Sequence, residues 1–79
     1  MYTLKDIKSN TLVTFKKYNG KRPDTYWTIF ITYADFDYDQ RLKCDGVSIR
    51  YDCFEGERFE YLIEKDLGKE FDIIKIIQF

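Results

Sequence analysis

The chain has 79 residues, which supports a single domain over residues 1–79, and its 13 basic and 14 acidic side chains leave a net charge of −1. With so little net charge, no whole-molecule field attracts polyanions, and charge-based recognition must be local. Histidine, the commonest general base and a major zinc ligand, is absent, so we expect no enzymatic activity, no cofactor and no metal site. The aromatic fraction of 19% predicts a core rich in rings.

Cysteine usage and composition indicate where the protein works. Cys44 and Cys53 are the only cysteines, and no secretory pattern opens the chain, so we expect a cytoplasmic location with reduced thiols that pack in the core. No stretch approaches the roughly 20 apolar residues of a membrane span. A single proline beside abundant lysine, isoleucine, tyrosine and aspartate is typical of AT-rich coding sequences in low-GC bacteria and their phages. A phage-encoded product would work in the host cytoplasm.

The first residues predict a short helical turn. Thr3 and Asp6 have the spacing of a capping box, in which the threonine oxygen accepts from the first turn and the carboxylate opposes the helix dipole. Leu4 and Ile7 would share its buried side. An element this short must be held by packing against the rest of the domain.

Two predicted strands flank a basic loop. Residues 11–18 predict the first strand, with Thr11, Val13 and Phe15 on one side, and the turn-forming residues at 19–23 predict a loop. Residues 24–33 predict the second strand, whose odd positions from Trp27 to Tyr33 share one face. Its opposite face is half-apolar as well, which indicates a central strand or one covered by another element or partner.

The strongest local signal is Asp45 followed by Gly46, because this pair tolerates the positive φ angles of a type I′ hairpin turn. The implied register places Asp39 opposite Asp52. The side chains predicted to face inward are Leu42, Cys44, Val47, Ile49, Tyr51 and Cys53. The alternating polar positions of both arms would then face the solvent.

The same register creates a conflict of parity in the preceding strand. Odd positions point inward through Tyr33, whereas even positions point inward by Tyr38, and a two-residue period cannot satisfy both. We therefore predict a bulge or bend between Ala34 and Asp37. Irregularities of this kind often redirect side chains at functional sites.

The remaining chain predicts two further strands. A turn at residues 55–56 leads to a strand at residues 58–64, and residues 66–69 connect it to a last strand at residues 71–79 that is apolar on both faces. The predicted inward side chains of the first of these strands are Phe59, Tyr61 and Ile63. Five or six short antiparallel strands favour a mainly β fold, either a small barrel of SH3-like or OB-like type or a strongly twisted sheet.

Three aspartates at alternate positions form the most informative motif. In an extended strand, side chains two residues apart share a face and lie roughly 6.6–7 Å apart, close to the phosphate spacing along a DNA strand. Asp35, Asp37 and Asp39 could therefore imitate a nucleic acid, hold a hard cation or keep one sheet face wet. Calcium binding of the EF-hand type is disfavoured, because Gln40 and Gly46 stand where that loop needs glycine and a bidentate glutamate.

We interpret this row as part of a surface for a protein partner. Exposed rings beside charges have the composition of an interface, and carboxylates at this spacing would fit a basic groove that normally holds nucleic acid. The predicted partner-binding residues are Asp35, Phe36, Asp37, Tyr38, Asp39, Asp52, Phe54, Glu55 and Glu57. The expected function is inhibition by a phage or mobile-element product of anti-CRISPR or anti-restriction type, which mimics DNA and blocks a nucleic-acid-handling enzyme.

Two other functions stay open. A basic loop with tyrosines could bind single-stranded nucleic acid as an SH3-like or OB-like module, through Lys16, Lys17, Tyr18, Lys21, Arg22 and Tyr26. We rank this direct binding lower, because four cations give weak, strongly salt-dependent affinity and the acidic row would repel the same ligand. A strand that is apolar on both faces could instead serve a structural or assembly role in an oligomer, and the sequence leaves monomer and dimer open.

Overall fold

The computed structural model describes residues 1–79 as one sheet of five antiparallel strands. The strands are β1 (Thr11–Lys17), β2 (Thr25–Asp39), β3 (Cys44–Cys53), β4 (Gly56–Ile63) and β5 (Phe71–Gln78). Their order across the sheet is β4-β3-β2-β1-β5. Because β4 and β5 form two free edges, the sheet is not closed into a barrel. The prediction of a mainly β fold with five or six antiparallel strands is confirmed, and the number is five.

One side of the sheet, here called the inner face, carries the core. The strand residues of this core are Val13, Phe15, Ile31, Val47, Ile49, Tyr51, Phe71 and Ile73. Phe15 is 1% exposed, and its ring stacks on Trp27 with the centroids 4.8 Å apart. The opposite side, the outer face, is left uncovered by any other element.

The predicted helical turn is a 3₁₀ turn at Leu4–Asp6, and it covers the inner face. The Asp6 carboxylate accepts the backbone N–H of Thr3 at 2.7 Å, which completes the capping box. Leu4 and Ile7 are each 2% exposed, and both belong to the core. The turn is therefore held by burial of its apolar side chains rather than by helix propensity.

Strand β2 bends near its middle. Its 15 residues would extend roughly 50 Å if straight, whereas the longest dimension of the molecule is 33 Å. The register with β3 shifts between Ile31 and Tyr33, so Thr32 has no paired residue. The predicted irregularity is present, but it lies before Ala34 rather than between Ala34 and Asp37. Tyr33, which we predicted to face inward, consequently lies on the outer face and is 44% exposed.

The predicted reversal at Asp45 and Gly46 is wrong, because both residues lie within β3. The chain turns at residues 40–43 instead, and Asp39 pairs with Cys44. Gly46 is paired with the middle of the aspartate row in β2. The hairpin is therefore displaced toward the N-terminus by about four residues relative to the prediction.

Asp39 explains where the chain turns. Its carboxylate accepts the backbone N–H groups of Arg41 at 2.9 Å and Leu42 at 3.0 Å. Its carbonyl oxygen accepts the N–H of Lys43 at 2.7 Å, and Lys43 adopts the positive φ of 55° that closes the loop. An aspartate side chain that caps the following backbone in this way starts a turn without a glycine.

The displaced turn changes part of the predicted inward set. Val47, Ile49 and Tyr51 are buried on the inner face as predicted, and Cys53 packs against them. Leu42 lies in the turn and is 38% exposed, so its predicted inward position is wrong. Cys44 is buried, but its pairing with Asp39 assigns it to the outer face. Asp39 therefore does not lie opposite Asp52.

The facing of β4 also differs from the prediction. Phe59 and Tyr61 are 64% and 47% exposed, and they pair with Arg50 and Ser48, whose side chains belong to the outer face. The pairing of Cys53 with Gly56 across a two-residue loop fixes this parity. Even positions of β4 thus face inward, and the odd positions that we predicted to be buried face outward.

Strand β5 and the connection before it follow the prediction. A second 3₁₀ turn at Glu64–Asp66 leads into β5, which pairs with β1 across a register shift. Ile73 is buried, whereas Ile74 and Ile77 are 45% and 38% exposed, so the strand is apolar on both faces. The two helical elements are single turns, and neither could cross a membrane.

Candidate protein-binding surface

The outer side of β2, β3 and β4 gathers the acidic row, several rings and one arginine into a surface that we call the acidic face. Residues paired across neighbouring antiparallel strands share a face of the sheet. The resulting cross-strand rows are Asp39–Cys44, Asp37–Gly46–Ile63, Asp35–Ser48–Tyr61, Tyr33–Arg50–Phe59 and Asp52–Glu57. Successive rows lie roughly 6.6–7 Å apart along the strands.

No carboxylate of the acidic face forms an ion pair with a cation. Asp35 and Asp37 are exposed, and the only ion pairs in the molecule join Lys16 to Asp24 and Glu55 to Arg58. The single hydrogen bond to the Asp37 carboxylate comes from the adjacent backbone N–H at 2.7 Å. Both charges are therefore free to meet cations on another molecule.

Asp39 has a different environment from its two neighbours in the row. Besides capping the turn, its carboxylate accepts the hydroxyl hydrogen of Tyr61 at 2.8 Å. Its four oxygen lone-pair sites are thus largely committed within the hairpin. Asp39 positions the end of the acidic face, whereas the carboxylates of Asp35 and Asp37 take no part in the turn.

Gly46 makes room for the Tyr61 side chain. A Cβ atom at Gly46 would lie 2.2 Å from the Tyr61 hydroxyl oxygen and 2.6 Å from its Cζ atom. The ring of Tyr61 therefore crosses β3 directly above the glycine to reach Asp39 on β2. Glycine serves close approach here rather than a turn, since its φ is not positive.

The hydrogen bond between Tyr61 and Asp39 perturbs the acidity of both groups. The pKa of Asp39 is lowered by the backbone N–H of Leu42 and by the Tyr61 hydroxyl. The pKa of Tyr61 is raised, chiefly because its hydroxyl donates to the Asp39 carboxylate. The bond thus favours the ionised carboxyl and the neutral phenol.

We expect this bond to weaken at both extremes of pH. The lowered pKa of Asp39 stabilises the fold above the unfolded value of about 3.9, and this contribution is lost as the pH falls through the folded pKa. The raised pKa of Tyr61 stabilises the fold below the unfolded value of about 10, and this contribution is lost as the pH rises through the folded pKa.

The substitution Tyr61→Phe tests this coupling. It should remove the part of the stability loss at alkaline pH that comes from ionisation of Tyr61. It should also raise the pKa of Asp39, because the carboxylate loses a hydrogen-bond donor. Titration of the Asp39 carboxyl carbon by NMR measures the shift. An unchanged Asp39 pKa in the variant would show that the bond is not formed in solution.

Arg50 occupies the centre of the acidic face and is held by two rings. Its Cζ atom lies 5.1 Å from the ring centroid of Tyr33 and 4.7 Å from that of Phe59. No carboxylate forms an ion pair with it. Stacking of this kind fixes the guanidinium by cation–π attraction and leaves its N–H edge available.

Comparisons with protein-family models, with curated proteins and with solved structures found no match. Within the molecule, no group of three or more cysteine or acidic side chains converges in a way that could hold a metal ion. The function must therefore be inferred from the exposed surface and its charges.

The structure separates the predicted partner-binding residues into three places. The acidic face holds Asp35, Asp37, Asp39, Asp52 and Glu57. Phe36 pairs with Val47 of the inner face and lines a groove beside the N-terminal turn, and Tyr38 lies beyond the core on the same side. Phe54 and Glu55 form the tip of the β3–β4 hairpin, where Glu55 pairs with Arg58 at 2.7 Å. The predicted rings at 36 and 38 are not beside the carboxylates.

The rings that do accompany the carboxylates are Tyr33, Phe59 and Tyr61, and we did not predict them for the site. The signal that could have found Phe59 and Tyr61 is the length of the β3–β4 loop. A two-residue loop, whether at positions 54–55 as observed or at 55–56 as we predicted, pairs even positions of β3 with odd positions of β4 and places both rings on the outer face.

The predicted basic cluster is assembled only in part. The ammonium of Lys16 lies 5.0 Å from the ring centroid of Tyr18 and 5.9 Å from that of Tyr26, and 3.5 Å from the Asp24 carboxylate. The Tyr18 hydroxyl donates to the carboxylate of Asp72. Both rings and the central cation are thus engaged within the molecule. The remaining cations of the loop, Lys17, Lys21 and Arg22, are exposed.

Proposed function

We propose that the protein is a small protein-binding domain that blocks a nucleic-acid-handling enzyme through the acidic face. As a phage or mobile-element product it would be an inhibitor of anti-CRISPR or anti-restriction type. The observation that carries this proposal is the pair of exposed carboxylates of Asp35 and Asp37, which form no ion pair and lie in extended register on the same face as Phe59 and Tyr61.

Charge decides which class of partner fits this face. Carboxylates repel the phosphates of a nucleic acid, whereas they attract the lysines and arginines that line a nucleic-acid groove. The spacing of Asp35 and Asp37 along β2, roughly 6.6–7 Å, is close to that of successive phosphates on one strand. A rigid sheet presents these charges without the entropy cost of ordering a loop.

The rings of the acidic face supply the apolar part of an interface. Tyr33, Phe59 and Tyr61 are all exposed beside Arg50, and aromatic residues and arginine are enriched at the energetically important centres of interfaces. A partner would gain affinity from covering these rings and specificity from opposing the carboxylates. Inhibition follows because the occupied groove cannot hold nucleic acid.

The double substitution Asp35→Asn with Asp37→Asn tests the proposal. The tagged protein captures its partner from native host lysate, and the purified partner is then titrated with each variant. We expect the captured partner to be a nucleic-acid-handling enzyme, and the double variant to bind it at least about tenfold more weakly, because two opposed cations lose their counter-charges. Asp39 is left intact because it caps the turn.

The matched control is Glu64→Gln with Glu70→Gln, which removes the same charge from exposed positions outside the acidic face. This control should bind like the native protein. If both double variants weakened binding to the partner equally, the effect would come from net charge rather than from the acidic face. Undiminished binding by the aspartate variant would contradict the proposal.

The second candidate function is single-stranded nucleic-acid binding by an SH3-like or OB-like module through the basic loop. The close approach of Lys16 to Tyr18 and Tyr26 favours it, but Asp24 and Asp72 offset the charge and engage the tyrosine. A gel shift at low salt discriminates the two functions. Retention of DNA or RNA that is lost when Lys16, Lys17, Lys21 and Arg22 are changed to glutamate would favour this candidate over the inhibitor.

The third candidate function is assembly into an oligomer through the outer face of β1, β2 and β5. Phe30 and Phe79 are exposed there with ring centroids 5.9 Å apart, and Ile77 is exposed on the same edge strand. Sedimentation over a range of concentrations measures this property. A dimer that dissociates on Phe30→Ser with Phe79→Ser would favour the assembly function.

A further inference from the structure

Charges of opposite sign alternate along the acidic face. The rows of Asp37 and Asp35 lie on one side of the row that contains Arg50, and the row of Asp52 and Glu57 lies on the other. Each step between rows is roughly 6.6–7 Å. The face therefore offers negative, positive and negative charge in sequence, rather than the uniform charge of a nucleic acid.

Arg50 forms no ion pair, although carboxylates occupy the rows on both sides of it. Asp52 and Glu57 are directly opposite each other, which is an unfavourable arrangement of like charges, and neither forms an ion pair with the arginine. The two rings hold the guanidinium in place instead. A pre-oriented arginine with a free N–H edge is suited to a bidentate bond with a carboxylate.

We infer that the acidic face binds a groove of mixed charge, in which a partner carboxylate bonds to Arg50 while flanking partner cations oppose Asp35 and Asp37 on one side and Asp52 and Glu57 on the other. This inference rests on the proposed function and narrows its partner class. Enzymes that cut nucleic acids with carboxylate-held Mg²⁺ place acidic ligands inside a basic groove. The partner is therefore a metal-dependent nuclease, and Arg50 occupies the position of its metal.

A partner groove lined only by basic residues would not explain why a cation, Arg50, lies in the middle of the acidic face. A guanidinium in the middle of such a groove meets only like charge, which costs affinity and selects against that partner. A carboxylate at the same place converts the repulsion into a charge-assisted hydrogen bond. The charge order on this face thus favours the nuclease groove over a simple polyanion site.

The test uses two peptides of defined chemistry and the isotopically labelled full chain. One peptide has a central glutamate flanked by lysines at alternate positions, and the other has glutamine at the centre. Non-specific attraction to the acidic face favours the glutamine peptide, which carries more positive charge. Anchoring on Arg50 predicts the opposite, with the glutamate peptide binding about fivefold more tightly and shifting the Arg50 Nε–H resonance.

Substitutions assign the preference to one residue. Arg50→Gln should abolish it, whereas Lys69→Gln, at an exposed lysine in the connection before β5, should leave it unchanged. Equal binding of both peptides, or a preference that survives Arg50→Gln, would overturn the role of Arg50. If Asp35→Asn with Asp37→Asn still weakened both peptides in that case, the proposed function would stand. Absence of any shift on the acidic face with either peptide would contradict both.

Discussion

Replacing Phe15 with alanine should lower the free energy of unfolding by about 3–5 kcal/mol, the usual cost of emptying a buried phenylalanine site. Phe15 is 1% exposed, stacks on Trp27 at 4.8 Å and meets the edge of Phe71 at 6.0 Å. A domain of this length has a total stability of about 4–12 kcal/mol, so the variant should populate the unfolded state at physiological temperature.

Urea denaturation followed by Trp27 fluorescence and by circular dichroism measures this loss, because Trp27 is the only tryptophan and contacts the deleted ring. Phe54→Ala is the matched control, since Phe54 lies fully exposed at a hairpin tip and should cost less than about 0.5 kcal/mol. A loss below about 1 kcal/mol for Phe15→Ala would contradict the assignment of Phe15 to the centre of the core.

Replacing Gly46 with alanine should lower the free energy of unfolding by about 1–3 kcal/mol, the range for an overpacked site. The added methyl group would stand 2.2 Å from the Tyr61 hydroxyl oxygen, so the ring must leave its position above β3 and release Asp39. The backbone itself accommodates alanine, because Gly46 does not have a positive φ. The loss of stability therefore comes from the clash between the added methyl group and a single side chain, that of Tyr61.

A double-mutant cycle isolates that contact. In a Tyr61→Ala background the ring is already gone, so Gly46→Ala should cost much less than in the native protein, and the two substitutions should be non-additive. Tyr61→Phe is the informative contrast, because it keeps the ring and should preserve most of the clash. An equal cost of Gly46→Ala with and without the ring would mean that Tyr61 does not lie above the glycine.

Local patterns in the sequence predicted those parts of the fold where one strong signal acts alone. The spacing of Thr3 and Asp6 predicted the capped turn, and the pattern of residues 11–18 predicted that Val13 and Phe15 share one side of β1, which is the buried side. The range of five or six strands and their antiparallel pairing also followed from the spacing of the turns. Each of these features depends on residues close together in the chain.

The errors arose where two local signals compete. Asp45 with Gly46 and Asp39 with its following residues can each reverse the chain, and the side-chain cap of Asp39 prevailed. The sequence does not show whether a glycine provides positive φ or close approach, and Gly46 provides the second because Tyr61 comes from a strand far along the chain. The shifted turn then changed which residues of β3 pair with the aspartate row.

The acidic face was predicted in its charge but not in its aromatic residues. Alternation alone placed Asp35 and Asp37 on one exposed face, and the structure agrees. The neighbours of that row depend on the facing of β4. An even number of residues in the β3–β4 loop fixes this facing, whereas we assigned it from the apolar side chains of β4. Phe59 and Tyr61 were therefore assigned to the core, although they lie beside the carboxylates.

NMR cross-saturation from the captured, unlabelled partner to the labelled protein locates the contact surface directly. We predict the strongest loss of signal at Asp35, Asp37 and Phe59, together with displacement of the complex by a nucleic acid that competes for the partner's groove. Loss of signal confined to Phe30 and Phe79, with no effect of nucleic acid, would show that the acidic face is not where the protein acts.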